Sequence, residues 1–286
     1  MSESPISGSC LCGAVRYEVH GPFLQLAHCH CSLCRKHHGA PFVSWLVGPL
    51  DSYRLVAGGD NLGRYDSSPG LHRLFCVTCG SVAPTPMIEQ GVVVIPAGNL
   101  DGDFGPVPAH HMFVDSKAPW HRITDDLPQH AEYSPEAGLP AVERAAPEPA
   151  TPGWTGGTCA CRRVAFEYEG EPLRMLNCHC SRCRKARGAA HTTNLFVPLD
   201  RFRFRRGEDL VQDYPLPGAR FFGVAFCSAC GGKVARKSLA RNAAVIPAGS
   251  LDGDPGMRPT AHIFVGSKAP WFEITDDLPR HAEMPP

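Results

Sequence analysis

Cysteine is the residue whose number and spacing carry the most chemistry in this chain. Fourteen of them fall among 286 residues and form two sets of seven. The first set is a Cys-x-Cys pair (Cys10, Cys12), a Cys-x-Cys-x-x-Cys triplet (Cys29, Cys31, Cys34) and a Cys-x-x-Cys pair (Cys76, Cys79). The second repeats it as Cys159 and Cys161, then Cys178, Cys180 and Cys183, then Cys227 and Cys230. An odd number per set cannot close a self-contained disulfide framework, and clusters this tight in a reducing compartment are metal-ligand patterns. Tetrahedral zinc takes four thiolates, commonly from two short-spaced pairs. The outer pairs therefore predict one closed structural site per set. Gly80 and Gly231 would allow the tight turn that aims backbone amides at sulfur.

The triplets predict something different. Three ligands from one loop leave a fourth position for water or substrate, the pattern of a reactive zinc. The alternative is closure by a protein histidine. His111 and His262 recur in both sets and could swing in, whereas His30 and His179 sit between ligands, and adjacent residues rarely bind one ion. Three thiolates on Zn²⁺ leave one net negative charge, which weakens the metal for polarising water. An exogenous thiol held there as thiolate, well below a free pKa of about 8.5, would be nucleophilic. Such a site suits thiol addition to an electrophile better than hydrolysis. Arg35-Lys36 and Arg184-Lys185 directly follow the triplets. They either offset this charge, hold ligand carboxylates, or form an ordinary solvated basic pair.

The elements that must position these groups come as a repeat. CHCSLCRK from Cys29 returns as CHCSRCRK from Cys178, VIPAGNLDGD as VIPAGSLDGD and DSKAPW as GSKAPW, while TDDLP returns unchanged. The offset between copies grows by two after Tyr65 and Tyr214, which places an insertion in the following loop of copy two. We read residues 1–133 and 153–286 as two zinc-binding domains. Residues 134–152, rich in Pro, Ala and Glu, have the composition of a semi-extended linker that does not pack. Each copy is long enough for a core of its own. Val15, Tyr17 and Val19 alternate with polar or small neighbours, as do Val164, Phe166 and Tyr168, giving strands with one buried face. Phe42–Val47, Val92–Ile95 and Met112–Val114 are short apolar runs of strand character. No long stretch has helical period, and one helical turn is expected after Cys34 and after Cys183. The fold class is mainly β.

Composition narrows the function classes. Lys+Arg and Asp+Glu both total 28, so no global field points to nucleic acid. Arg201, Arg203, Arg205 and Arg206 alternate with Phe202 and Phe204, but copy one lacks this strip, and a solvated face over two core rings is expected. The N-terminus has no basic region followed by an apolar stretch, and no apolar run approaches a membrane span of about 18 residues. A cytoplasmic location is the expectation, and no membrane partner.

CxCG, CHCSxCRKxxGA, FCxxCG, GxLDGD and SKAPW together resemble the glutathione-dependent formaldehyde-activating enzyme and centromere protein V family, across nearly all of both copies. The resemblance implies an Mss4-like (β-tent) fold in two tandem domains. It also implies a structural zinc on the outer cysteine pairs and a catalytic zinc on each triplet, two per domain and four per chain. It implies glutathione, or a similar small thiol, as co-substrate and a small aldehyde such as formaldehyde as electrophile, in carbon–sulfur lyase chemistry. Two departures stand out. Copy two has Arg162 where copy one has Gly13, which would reshape the first metal loop, and the tandem arrangement differs from a single-domain enzyme. A non-catalytic zinc module for protein or nucleic-acid interaction is the alternative, and it requires closed triplet sites.

Overall fold

The computed structural model describes residues 4–134 and 146–285. In the first copy the strands are β1 (Ile6–Ser9), β2 (Arg16–Val19), β3 (Gln25–Cys29), β4 (Val43–Pro49), β5 (Tyr53–Ala57) and β6 (Leu62–Ser68). They continue with β7 (Leu71–Cys76), β8 (Val82–Ala83), β9 (Thr85–Met87), β10 (Val92–Pro96) and β11 (Ala109–Met112). The second copy has β12 (Trp154–Thr158), β13 (Ala165–Glu169), β14 (Arg174–Cys178), β15 (Thr192–Pro198) and β16 (Phe202–Arg206). It ends with β17 (Val211–Pro215), β18 (Gly223–Cys227), β19 (Arg236–Ser238), β20 (Ala243–Pro247) and β21 (His262–Ile263).

Period-two patterning acts as expected on β2, where Tyr17 and Val19 are buried and Arg16 is exposed. Each copy builds a three-stranded sheet (β1-β2-β5; β12-β13-β16) and a five-stranded one (β11-β3-β4-β10-β9; β19-β20-β15-β14-β21). A hairpin arm completes each copy, β6-β7 with β8 in the first and β17-β18 in the second. The added residues of copy two lie at the tip of this arm, between Pro215 and Gly223. In the five-stranded sheets β3 and β14 are flanked by an antiparallel neighbour and a parallel one, β11 and β21.

The helical turn is longer than expected and starts earlier. The helices α1 (Ser32–His38) and α2 (Ser181–Arg187) begin before the last cysteine of each triplet, so Cys31 and Cys180 are N-caps. Each sulfur accepts a hydrogen bond from the third following amide, at 3.3 and 3.4 Å. Gly39 and Gly188 close the helices in the left-handed conformation.

Each copy has a core of its own, and the two copies interlock across them. Trp120 of the SKAPW segment in copy one is buried in the core of copy two, with Phe166, Met175, Leu195 and Ile246. Reciprocally, Trp271 packs on the core of copy one against Phe104, ring centroids 5.5 Å apart. Tyr65, on the arm of copy one, lies against the copy-two core beside Cys161, while Tyr214 packs on Cys10, Cys76 and Cys79. Residue for residue, the contact is close to two-fold.

The reading of the linker needs a correction. Of the stretch read as unpacked, residues 135–145 lie outside the described residues, but residues 146–152 dock on copy two. Glu148 pairs with Arg206 at 2.5 Å, and Thr151 donates to Glu167 through its hydroxyl at 2.9 Å. Arg203 pairs with Glu167 at 2.6 Å and stacks over Trp154. The arginine strip is thus largely neutralised from within the chain.

Candidate metal centres

The structure gathers the fourteen cysteines into four groups: Cys10, Cys12, Cys76 and Cys79; Cys159, Cys161, Cys227 and Cys230; and the two triplets. None is disulfide-bonded. In the first four-cysteine group Sγ of Cys12 lies 3.4 Å from that of Cys10 and 3.7 Å from that of Cys76. The matching distances in copy two are 3.5 and 3.9 Å. A tetrahedron with metal–sulfur bonds of about 2.3 Å has edges of about 3.8 Å, so both groups fit a four-coordinate thiophilic ion. Backbone amides support the first sulfur of each group, from Val15 and Val164 at 3.3 Å, and at the second pair of copy two the amide of Gly232 donates to Cys230 Sγ at 3.4 Å. Asn61 donates to Cys76 Sγ at 2.9 Å from the side chain.

The loop around Arg162 keeps its shape. Arg162 adopts φ 61° where Gly13 has 76°. Its amide donates to the Cys159 carbonyl at 3.0 Å, and that of Gly13 to Cys10 at 3.1 Å. The left-handed turn is retained with a side chain that disfavours it.

Each triplet unites the end of a central strand with the N-cap and first turn of a helix. Cys29 and Cys34 are buried while Cys31 is half-exposed, and Cys178, Cys183 and Cys180 follow the same pattern. Among the described residues no fourth Cys, His, Asp or Glu ligand atom joins either group. His111 and His262 are engaged elsewhere. His111 Nε2 lies 3.0 Å from an Asp125 carboxylate oxygen, and its Nδ1 lies 2.8 Å from Nε2 of His30. Asp276, His262 and His179 repeat the string at 3.0 and 2.7 Å. With the Nε2–H of His111 directed at the carboxylate, its Nδ1 accepts from His30, and the ring between Cys29 and Cys31 is fixed in orientation. Burial lowers the pKa of His30 and holds His179 at about 2, so both rings are neutral. Asp125 and Asp276 also cap turns, through the amides of Leu127 and Leu278 at 3.0 Å.

The basic pairs divide. Lys36 is buried in an ion pair with Asp252 at 2.7 Å and donates to the Thr158 hydroxyl at 2.5 Å, both in copy two. Lys185 pairs with Asp101 and donates to Ser9, both at 2.6 Å. These lysines clamp one copy to the other, through the first Asp of each LDGD motif. Arg35 Nε donates to the His30 carbonyl at 3.3 Å, and Arg184 Nε is buried without a partner.

Two neighbours of the first triplet carried no signal in the spacing of the cysteines. Both terminal nitrogens of Arg73, on β7, lie 3.7 Å from Cys34 Sγ. Hydrogen bonds from Cys29 and Cys31, with the Arg73 charge, hold the Cys34 thiol well below its ordinary range. Tyr133 packs against Cys29, Cys34 and Phe113, and burial together with the three sulfurs raises its phenol to about 12. Phe113 and Phe264 hold left-handed φ values of 60° and 56° beside the two triplets. For bulky residues that is a strained conformation, and strain of this kind gathers at functional sites.

A sequence profile described as glutathione-dependent formaldehyde-activating enzyme matches residues 5–116 and again 154–267. The chain belongs to that family. Its Mss4-like domain therefore occurs here twice, each copy with two cysteine groups able to bind metal. An uncharacterized lyase of Schizosaccharomyces pombe is 34% identical over 74 residues, 26% of this chain and 52% of the relative. The match thus spans about half the length of that yeast protein. A putative glutathione-dependent formaldehyde-activating enzyme of Halomonas elongata is 32% identical over 128 residues, covering 41% of this chain and 80% of the relative. A Rhodobacter sphaeroides protein of solved structure is 30% identical with a TM-score of 0.29, over 36% of this chain and 98% of that one.

Proposed function

We propose that this family member is a zinc-dependent carbon–sulfur lyase-type enzyme that adds a small thiol, glutathione or a close analogue, to a small aldehyde such as formaldehyde, or catalyses the reverse. The observation that carries this reading is the three-cysteine group that, among the described residues, has no fourth protein ligand, present in both copies. Cys29, Cys31 and Cys34, with Cys178, Cys180 and Cys183, are the residues that would hold the reactive zinc. The outer cysteine pairs would hold structural zinc, giving four ions per chain. Bound zinc supplies a positive centre that keeps an incoming thiol deprotonated at neutral pH.

The chain's own groups do the rest. Half-exposed Cys31 and Cys180 mark the side from which a ligand can approach, while burial of the other two sulfurs keeps water from the far side. The Asp125–His111–His30 string and its counterpart fix the loop, so the sulfurs stay preorganised. In the forward direction the thiol sulfur bonds to the carbonyl carbon, and the thiol's proton ends on the carbonyl oxygen. In reverse the carbon–sulfur bond breaks and the proton returns. Of the basic pairs, Arg35 and Arg184 are the candidates for a ligand carboxylate, since the lysines are engaged between copies. A chain whose fourteen cysteines are all free suits a reducing compartment such as the cytoplasm.

The test is exchange spectroscopy on glutathione and formaldehyde at equilibrium with their S-hydroxymethyl adduct. The protein should accelerate exchange, and a Cys31→Ser/Cys180→Ser variant should return it to the uncatalysed rate. Equal rates with and without native, metal-loaded protein would count against the reading.

A further inference from the structure

The two triplets share one ligand pattern but have different walls. In copy one, Arg73 donates toward Cys34 Sγ from both terminal nitrogens at 3.7 Å, and its Nε is buried without a partner. Among the described residues no carboxylate pairs with this guanidinium. Among the described residues, the triplet sulfurs are the groups beside it that become anionic when metal binds. Tyr133 adds a phenol on the same side, packed on Phe113 with ring centroids 4.7 Å apart.

Copy two lacks both groups. Val224 occupies the position of Arg73, each facing the arm tyrosine of its own hairpin across the ladder (Tyr65↔Arg73, Tyr214↔Val224). The HAEY run ending at Tyr133 reads HAEM in copy two, ending at Met284. The second triplet is packed instead by Leu176, Ile263, Phe222 and Phe264. A buried guanidinium, Arg187, is present at the end of α2, but it makes no hydrogen bond to a sulfur among the described residues, and one of its terminal nitrogens has no partner at all.

We propose that the two triplets are not equivalent, and that Arg73 and Tyr133 make the first one the site that retains an anionic thiol ligand. The inference rests on the zinc–thiol reading of the triplets. Loading three neutral thiols with Zn²⁺, with loss of three protons, leaves one negative charge, and an added thiolate makes two. A guanidinium fixed at 3.7 Å favours both steps. Val224 offers no such charge, and Arg187, whose charge reaches Cys183 through space but which donates to no sulfur among the described residues, replaces it only in part, so metal and anionic ligand are held less firmly in copy two. Arg73 is a positioning residue here, acting through the Cys34 sulfur.

The experiment isolates each triplet in the full chain: Cys180→Ser leaves the first, Cys31→Ser the second. Chelator competition then reads zinc retention of the remaining triplet, and calorimetry reads glutathione binding to it. The first triplet should retain zinc 10–100-fold better than the second, the span seen when supporting partners of metal ligands are removed. Arg73→Met should erase most of that advantage and Arg73→Lys restore part of it. Val224→Arg in the Cys31→Ser background should tighten the second triplet, which keeps the test valid if Arg73→Met fails to fold. Equal retention by the two triplets, or no response to either substitution at position 73 or 224, overturns the non-equivalence alone. Failure of both triplets to bind zinc overturns the zinc–thiol reading with it.

Discussion

At the scale of single residues, the cysteines were legible because ligand chemistry restricts type and spacing together. A Cys-x-Cys pair and a Cys-x-x-Cys pair can hardly converge for another purpose, and they meet within tetrahedral reach. Arg162 shows where inference from residue type stops. It signalled a distorted loop, yet the backbone keeps the left-handed turn of Gly13 because the carbonyl of Cys159 and the two flanking sulfurs require it. The chain absorbs the strain locally. Arg162→Gly should therefore raise thermal stability by about 1 kcal/mol, as relief of a left-handed non-glycine residue does. Thermal unfolding of the metal-loaded protein measures it, and a loss of stability would show that the Arg162 side chain, which reaches the Ala146 carbonyl, contributes more than its backbone costs. Arg73 and Tyr133 were silent in the sequence for another reason. Neither residue recurs in the second copy, and tertiary packing of β7 on α1 brings Arg73 to Cys34.

At the scale of elements, strand alternation was readable where one face alone meets the core, as on β2; on β13 both faces are covered, and Glu167 is as buried as its apolar neighbours. The seven-residue helices α1 and α2 were underestimated because their stability comes from seating, not from periodicity. Each sits on the Pro-Ala-Gly turn of the opposite copy. A Cβ on Gly98 would lie 2.3 Å from the Ala189 carbonyl oxygen, and one on Gly249 the same distance from that of Ala40. These are backbone contacts that cannot swing away. The repeated VIPAG motif is thus an inter-domain seat, and its glycine admits the neighbouring helix. Gly249→Ala should cost about 1–3 kcal/mol, the usual penalty for overpacking. It should also loosen zinc at the first triplet, since α1 carries Cys34. A chemical-denaturation midpoint unchanged by this substitution would contradict the seating.

At the scale of the whole molecule, the sequence announced two copies and concealed that they interlock. Identical motifs make contacts within and between copies indistinguishable on paper. The SKAPW tryptophan is a core anchor, and the core it anchors belongs to the other copy. The lysines after each triplet became ion pairs between copies, and Lys233, fully buried, donates to the Gly80 and His37 carbonyls of copy one at 2.5 and 3.2 Å across the same interface, and to that of Gly231 in its own copy at 2.7 Å. Residues 1–134 expressed alone should not yield a folded monomer, because Leu33, Tyr65 and Trp120 would lose the apolar surface that covers them. Sedimentation with circular dichroism checks this. A monomer that melts cooperatively would contradict the interlocked account, whereas a dimer of this half would satisfy it by restoring the two-fold contact.

The central claim is that the triplets bind zinc without being structural. Zinc content per chain tests it most directly, measured for the native protein and for Cys31→Ser/Cys180→Ser. The account predicts four zincs in the native protein and about two in the variant, each ion released with its own cysteine group, with the fold retained. Unfolding of the variant would make the triplets structural, and a native protein holding only two zincs would leave them without a metal; either result contradicts the account.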